Sequence, residues 1–357
     1  SCRGLRSRPL FALMLSSLAL SLSAVAKNPF DNGSGGTVPL YVQPSYAAEL
    51  QSSIASSQGL VHDNLQVMAN TSTAFWVDTK AKIPAMSSML QQAATKSPPE
   101  LVTIVVYDVP NRDCASNNSV GDICCYYYPD GSCNREKDGD CSAGLTDYDT
   151  NFIAPIAAEL AKYEGKMPIV LIIEPDSLPN LVTNMWAPKC AAVRQTYIDG
   201  VARAAEVLGP VGTVYLDVGW SGWIGSWSAH KMAAVLDSVL NRMPEEAVKQ
   251  VRGIVTDISN YGTTFKEVDY AETMLHEMEL LGRTGWHALI DTGRNAVDMG
   301  GQIWCNANGA GAGKTATADT GHERIDACAE TGLKPGVSRA PATHSGWFAV
   351  GRYFWIK

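Results

Sequence analysis

The sequence predicts an α/β fold with parallel strands, on two observations. Short runs of branched and aromatic residues alternate six times with longer stretches of helical spacing, and each of those six runs ends on an acid. Such alternation implies parallel strands joined by right-handed crossovers. Six units fit either a barrel or a doubly wound sheet. An open sheet scatters the acids along an edge, whereas a barrel gathers them at the mouth formed by the strand C-termini, where barrel enzymes place their chemistry.

The elements follow in chain order. Tyr46–Ser57 has helical spacing and precedes the strand Ala74–Val77, which runs into Asp78. Ile83–Thr95 is the next helix, before the strand Leu101–Tyr107 and Asp108. The helical stretch Tyr148–Tyr163 leads to Ile169–Ile173, five branched apolar residues stopped abruptly by Glu174-Pro175-Asp176. The helix Ala191–Leu208 precedes Thr213–Leu216 and Asp217, and the helix Ala229–Asn241 precedes Gly253–Val255 and Asp257. Finally Tyr270–Leu281 is helical, and Trp286–Ile290 ends on Asp291. Turn chemistry accounts for one acid after a strand. A full set points to a site, with some members serving as caps or ion partners. The string PIVLIIEPDSLPN (168–180) poses the question most sharply: a strand that merely reaches solvent, or one that delivers a carboxylic acid to a reaction.

Composition bounds the class. Hydrophobic residues make up 46% of the 357 residues, enough for one large domain or two ordinary ones, and the formal net charge is -8. The acidic balance argues against a nucleic-acid binder, which shows a basic face. Arg3, Arg6 and Arg8 precede an apolar run from Leu10 to Leu22 and the small-residue stretch Ser23–Ala26. This predicts a signal peptide over 1–26, N-terminally incomplete because no Met opens it, with the mature chain starting near Lys27. A short membrane anchor is the alternative, and the run is short for a bilayer. A secreted, extracellular chain makes its cysteines disulfide candidates. Of nine Cys, Cys2 lies in the leader, while Cys124, Cys125, Cys133 and Cys141 crowd one polar stretch. That predicts a disulfide-stapled surface loop with open pairing. A metal site is the alternative there, but zinc-type Cys pairs with His partners are lacking, and no metal is predicted. Asn32, Asn70 and Asn117 open glycosylation sequons that suit a secreted surface.

Aromatics crowd the acids: Trp76, Tyr107, Trp220, Trp223, Trp227 and Trp304 lie in or just after strand ends. Core packing explains part of this set. A cleft lined by indoles and carboxylates also suits a sugar polymer, since the ring stacks on the apolar face of a pyranose while acids take its hydroxyls. Cleaving a glycosidic bond needs one carboxylic acid to protonate the leaving oxygen and a basic group to act on water or on the sugar. The acid must stay protonated, which burial and a second carboxylate both favour. Asp176, with Asp113 on the loop after the neighbouring strand, supplies such a pair.

The strings VVYDVPNRDCA (105–115), IIEPDSLPNLVTN (172–184), YLDVGWSGW (215–223) and WCN (304–306) resemble the family 6 glycoside hydrolases, secreted cellulases. The likeness runs from Asn28-Pro29-Phe30 through FWVDT (75–79), PKCA (188–191), DTGR (291–294) and TGHERIDA (320–327), nearly all of the mature chain. The resemblance implies a distorted barrel of about seven parallel strands over 27–357, with its last part incomplete. It implies hydrolysis of β-1,4-glucan with inversion, and no cofactor. Inversion places the carboxylates roughly 6.5–9.5 Å apart, to leave room for a water. By the same resemblance Asp176 matches the catalytic acid, Asp113 the aspartate that raises its pKa and helps order water, Tyr107 the tyrosine beside the distorted sugar, and Ser119 a water-holding serine. Trp223 and Trp304 match sugar-stacking tryptophans, with Trp76 at the same mouth. Asn184, Asp217 and Arg294 match polar residues bordering the cleft, and Lys357 matches a substrate-side lysine. Cys114 and Cys190 match a disulfide that closes a loop over the site.

Three departures from the family pattern stand out. Trp220 replaces a His, changing a hydrogen bond to substrate or adding stacking. Leu40 stands where many members carry a distal stacking Trp, so weaker binding is expected there. Residues 328–352 interrupt the pattern between Ala327 and YFWIK (353–357), as a long surface loop or as translated intron. The family's usual candidate base lies beyond Lys357, so the chain as given is expected to be poorly stable and nearly inactive. The function expected from all this is a cellobiohydrolase acting alone, as a monomer, on cellulose or another β-1,4-glucan, with the loop near 114–141 covering a tunnel. An endoglucanase of the same family is the alternative. So is a non-catalytic glucan-binding protein on a decayed hydrolase scaffold. No nucleic-acid or membrane partner is expected.

Overall fold

The computed structural model describes residues 28–31, 38–116, 119–134, 137, 139–260, 262–292 and 350–354. Branched residues dominate its strands: β1 (Phe75–Val77), β2 (Val102–Val106), β3 (Ile169–Ile173), β4 (Thr213–Asp217), β5 (Val251–Thr256), β6 (His287–Asp291) and β7 (Val350–Phe354). β2 and β3 are buried along their whole length, as parallel strands covered on both faces must be. Every neighbouring pair is parallel. The sheet runs β1-β2-β3-β4-β5-β6-β7, in strict chain order. A doubly wound sheet reverses its strand order at a switch point. Here no reversal occurs, so right-handed crossovers put the connecting helices on one face and the sheet curls around the other. The outcome is the barrel-like α/β arrangement.

Two cores follow from the period of two along each strand. Val105, Tyr107, Val170, Ile172, Tyr215, Val255 and Leu289 form an inner cluster that holds no helical residue. Their neighbours Ile104, Val106, Leu171, Ile173, Leu216 and Ile254 belong to a larger outer cluster with the helices. Those helices include α1 (Pro44–Ser56), α2 (Gly59–Ala69), α3 (Ile83–Ala94), α4 (Ser142–Tyr148), α5 (Ala154–Leu160), α6 (Ser177–Thr183), α7 (Pro188–Ala192), α8 (Arg194–Leu208), α9 (Gly225–Leu240), α10 (Glu245–Val248) and α11 (Thr264–Leu280). α1 and α2 bury a small core of their own, Ile54, Leu65, Met68 and Ala69. β5 carries Gly253 because an added Cβ would stand 1.7 Å from the His287 carbonyl of β6.

The six predicted strands match β1 to β6 to within a few residues. The predicted helix Tyr148–Tyr163 starts late: helical structure begins at Ser142 with α4, and the predicted range covers the π-helical turn Asp149–Ile153, α5 and a closing 3-10 turn Ala161–Tyr163. α2, α6 and α10 escaped the sequence reading, and α4 and α7 lie mostly outside the predicted helices. In α2 the apolar period is blurred, since Val61 and Val67 are 43% and 51% exposed. α6 has only seven residues, short for a periodic signal. β7 begins at Val350, inside the stretch that departs from the family pattern. The predicted leader 1–26, residues 328–349 and the site candidates Arg294, Trp304 and Lys357 lie outside the described residues. So do the sequon residues Asn32 and Asn117. No helix among the described residues is long and apolar enough to cross a membrane.

Candidate active site

Because all strands point one way, the acids that end them share one mouth. Asp108, Glu174, Asp217, Asp257 and Asp291 are buried there. At the end of β3, Glu174 and Asp176 take φ values of 48° and 65°. Left-handed backbone at such residues costs about 1 kcal/mol or more each, and tends to mark functional sites.

The two acids around Pro175 differ in role. Glu174 is fully buried and accepts from the backbone N–H groups of Asp108 (2.9 Å) and Val109 (3.0 Å) and from the Tyr148 hydroxyl (2.7 Å). It fastens the end of β3 to the end of β2. Burial pushes its carboxyl up to about 7, against the pull of those donors and of Arg112. Asp176 stands half-buried at the start of α6. Its backbone N–H donates to Asp217 Oδ2 at 2.9 Å, and its carbonyl accepts from Asn180 N (3.1 Å) and Nδ2 (2.8 Å). The strained backbone is therefore tied on both sides, leaving the carboxyl to the mouth. Burial, then the Asp217 charge, then the Asp113 charge hold that carboxyl well above the usual range. Of the two charges, that of Asp217 contributes more than that of Asp113. Asp217 itself is pushed up to about 7 by burial, and its Oδ2 also accepts from Gly219 N at 3.2 Å.

The loop after β2 brings Asp113, Ser119 and Tyr107 together around a buried arginine. Ser119 N donates to Asp113 Oδ2 at 2.9 Å. The Arg112 guanidinium lies 4.2 Å over the Tyr107 ring and donates to the carbonyls of Tyr107, Asp78 (2.8 Å) and Ser119 (2.7 Å). It binds the mouth ends of β1 and β2 to the Asp113 loop. Burial first, then the charges of Asp176 and Asp113, raise the Tyr107 phenol well above its ordinary value, so it stays a neutral donor. The disulfide Cys114–Cys190, predicted by resemblance, ties this loop to α7. Cys124 pairs with Cys133 and Cys125 with Cys141, which resolves the open pairing.

The aromatics divide by exposure. Trp76 meets Tyr107 edge-on at 5.7 Å. Trp223 is half-buried, packs against the outer core and donates its indole N–H to Thr183 Oγ1 at 2.6 Å. Trp220 is 7% exposed, and its indole N–H finds no hydrogen-bond partner among the described residues. Asn184 commits its side-chain N–H to Asn180 Oδ1 at 2.6 Å, inside α6. Arg112 and Asn180 stand inside the quoted strings without a predicted role, and Glu174 was named only as an acid that ends a strand. An arginine among apolar and acidic residues and a glutamate flush with a buried strand are the signals that mark Arg112 and Glu174. The described residues hold no group of three or more His, Cys, Asp or Glu suited to a metal ion.

The profile of Glycosyl hydrolases family 6 matches residues 36–336. Exoglucanase 3 of Agaricus bisporus is 34% identical over 334 residues, 87% of this chain and 69% of that protein. Probable 1,4-beta-D-glucan cellobiohydrolase C of Aspergillus niger is 31% identical over 344 residues, 88% of this chain and 69% of that protein. Among solved structures, the CcCel6A catalytic domain complexed with p-nitrophenyl beta-D-cellotrioside is 26% identical at a TM-score of 0.62, covering 76% of this chain and 75% of that one. The catalytic core of Cel6A from Chaetomium thermophilum superposes at a TM-score of 0.68 over 92% of this chain and 85% of that one, at 24% identity, a likeness of fold.

Proposed function

The chain belongs to the glycosyl hydrolases of family 6, and we propose that it is a secreted, inverting cellulase that releases cellobiose from the ends of β-1,4-glucan chains. One observation carries the reading: the Asp176 carboxyl stands at the barrel mouth, held protonated by its burial and by the Asp217 and Asp113 carboxylates. Asp176 gives its proton to the glycosidic oxygen as the bond to the anomeric carbon breaks. Asp113 and Ser119, already joined by a hydrogen bond, order the water that attacks the opposite face, the geometry of inversion. As its oxygen bonds the anomeric carbon, that water releases a proton through neighbouring waters to solvent, from which Asp176 is reprotonated. The neutral Tyr107 hydroxyl stabilises the distorted sugar, and the ring faces of Trp76 and Trp223 stack on neighbouring units. Three disulfides among the described residues suit an extracellular enzyme. Two of them staple the loop after β2 into a cover beside the mouth, which favours end-wise action over internal cutting.

Asp176→Asn in the full-length protein tests the proposal. Turnover of amorphous cellulose is expected to fall by about 10²–10⁴-fold, the usual share of a general acid, with cellulose binding retained. Proton NMR of the first product is expected to give the α-anomer. Undiminished turnover in the variant sinks the assignment of the acid, and a β-anomer sinks inversion. End-wise action is read from a high ratio of soluble to insoluble reducing ends.

A further inference from the structure

We propose that Trp186, in the turn that follows α6, is a glucan-stacking platform at the rim of the mouth, holding a part of the polymer that never reaches the reacting bond. The inference rests on the cellulase reading above and adds a surface that the mechanism does not use. Trp186 is 80% exposed, the highest value among the exposed large hydrophobic residues, and Trp227 follows among the aromatics at 71%. Single exposed apolar residues need no explanation. Here two exposed indoles follow, a few residues on in the chain, the two partners of one contact. Trp186 lies three residues past Thr183, and Trp227 one helical turn past Trp223, whose indole N–H bonds the Thr183 hydroxyl. The Trp227 indole folds back over Gly225, where an added Cβ would stand 2.7 Å from its Nε1.

Rigidity supports the same conclusion. A hydrogen-bonded ladder starts at the proposed acid: the Asp176 carbonyl accepts from Asn180, the Asn180 amide oxygen accepts from Asn184 at 2.6 Å, and the Asn184 carbonyl accepts from Ala187 N at 2.9 Å. On the far side, Cys190 locks the segment to Cys114 beside Asp113. The turn that presents Trp186 is therefore pinned at both ends to the two proposed catalytic loops. A pre-organised ring loses little entropy on binding. α6 carries the chain about 10 Å from Asp176, the reach of a short oligosaccharide rather than of one sugar. An extended polymer threaded past Asp176 is the occupant that such a spacing fits.

The test compares the full-length wild type with Trp186→Ala, Trp186→Phe and, as a control on an exposed apolar residue at the C-terminus of α11, Leu280→Ala. Partition onto microcrystalline cellulose is expected to weaken about fivefold to tenfold in Trp186→Ala. It should return most of the way in Trp186→Phe and hold in Leu280→Ala. Turnover of soluble cellotetraose and the melting temperature should stay unchanged throughout. Unchanged partition in Trp186→Ala overturns the platform. So does an equal loss in Leu280→Ala, which means unspecific adhesion, or a concentration-dependent dimer that disappears in Trp186→Ala while partition holds. A wild type that turns over neither soluble nor insoluble glucan refutes the cellulase reading instead.

Discussion

Asp176 and Glu174 stand two residues apart, and their surroundings alone separate their roles. Glu174 is saturated by three donors, whereas Asp176 gives its backbone to the structure and its carboxyl to the mouth. The order of influences on Asp176, burial, then Asp217, then Asp113, yields a pH prediction. Asp217→Asn keeps an acceptor for the Asp176 N–H and removes a negative charge, so the Asp176 pKa should fall. A general acid works protonated, so the alkaline limb of kcat/KM is expected to move to lower pH. Asp113→Asn should move it the same way by less, with a larger drop in kcat if Asp113 orders the attacking water as proposed. A limb that stays put or moves upward in Asp217→Asn contradicts the electrostatic account. The sequence placed Asp176, Asp113 and Tyr107 in one neighbourhood. It did not rank Asp217 above Asp113, because that ranking depends on a backbone hydrogen bond across two strands. Nor did it mark Arg112, whose guanidinium matters only once the Tyr107 ring lies beneath it.

At the level of elements, strands were legible and short helices were not. A run such as Ile169–Ile173 announces a strand buried on both faces, and an acid at its end announces the mouth. α6 left no such mark: its seven residues include buried Ser177, Pro179 and Asn180, and its start is a left-handed Asp. Its existence follows from the Asn180–Asn184 ladder and the Thr183–Trp223 contact, which are tertiary facts. Strand–helix alternation alone allowed a barrel or a doubly wound sheet; the family resemblance implied a barrel of about seven strands, and the strict chain order of the seven-stranded sheet bears it out. Close backbone approach sets one further constraint. The Cβ of Gly253→Ala would stand 1.7 Å from a β6 carbonyl, and no rotamer relieves a backbone clash. The variant is expected to lose at least about 2–3 kcal/mol, read as a lower urea midpoint at unchanged m-value. Wild-type stability in Gly253→Ala means that β5 and β6 are further apart than described here.

Across the whole molecule, the barrel concentrates carboxyls where water does not reach, and this sets how stability depends on pH. Burial pushes Glu174, Asp217 and Glu267 each up to about 7 and, with the Asp122 hydrogen bond, Asp108 up to about 10. Unfolded carboxylates titrate near 4. Between about pH 4 and 7 the folded chain therefore binds more protons than the unfolded one, so stability falls as pH rises, by about 1.4 kcal/mol per unit for each such group. Asp108 extends the decline towards pH 10. Surface pairs act in reverse. Despite the opposing effect of burial, Asn151 and Lys80 hold Asp147, and Lys162 and Ser87 hold Glu159, below their ordinary values. Their contribution is present above the unfolded pKa and is lost as pH drops through the folded one. The two trends meet in the mildly acidic range, so stability has its optimum there. Scanning calorimetry is expected to give a melting temperature several degrees higher at pH 5 than at pH 8. In Glu267→Gln one titrating group is gone, so that gap should narrow, mainly through a gain at pH 8. A melting temperature that rises from pH 5 to pH 8 requires these buried carboxyls to be ionised in the folded state, and with it removes the physical basis for a protonated acid at position 176.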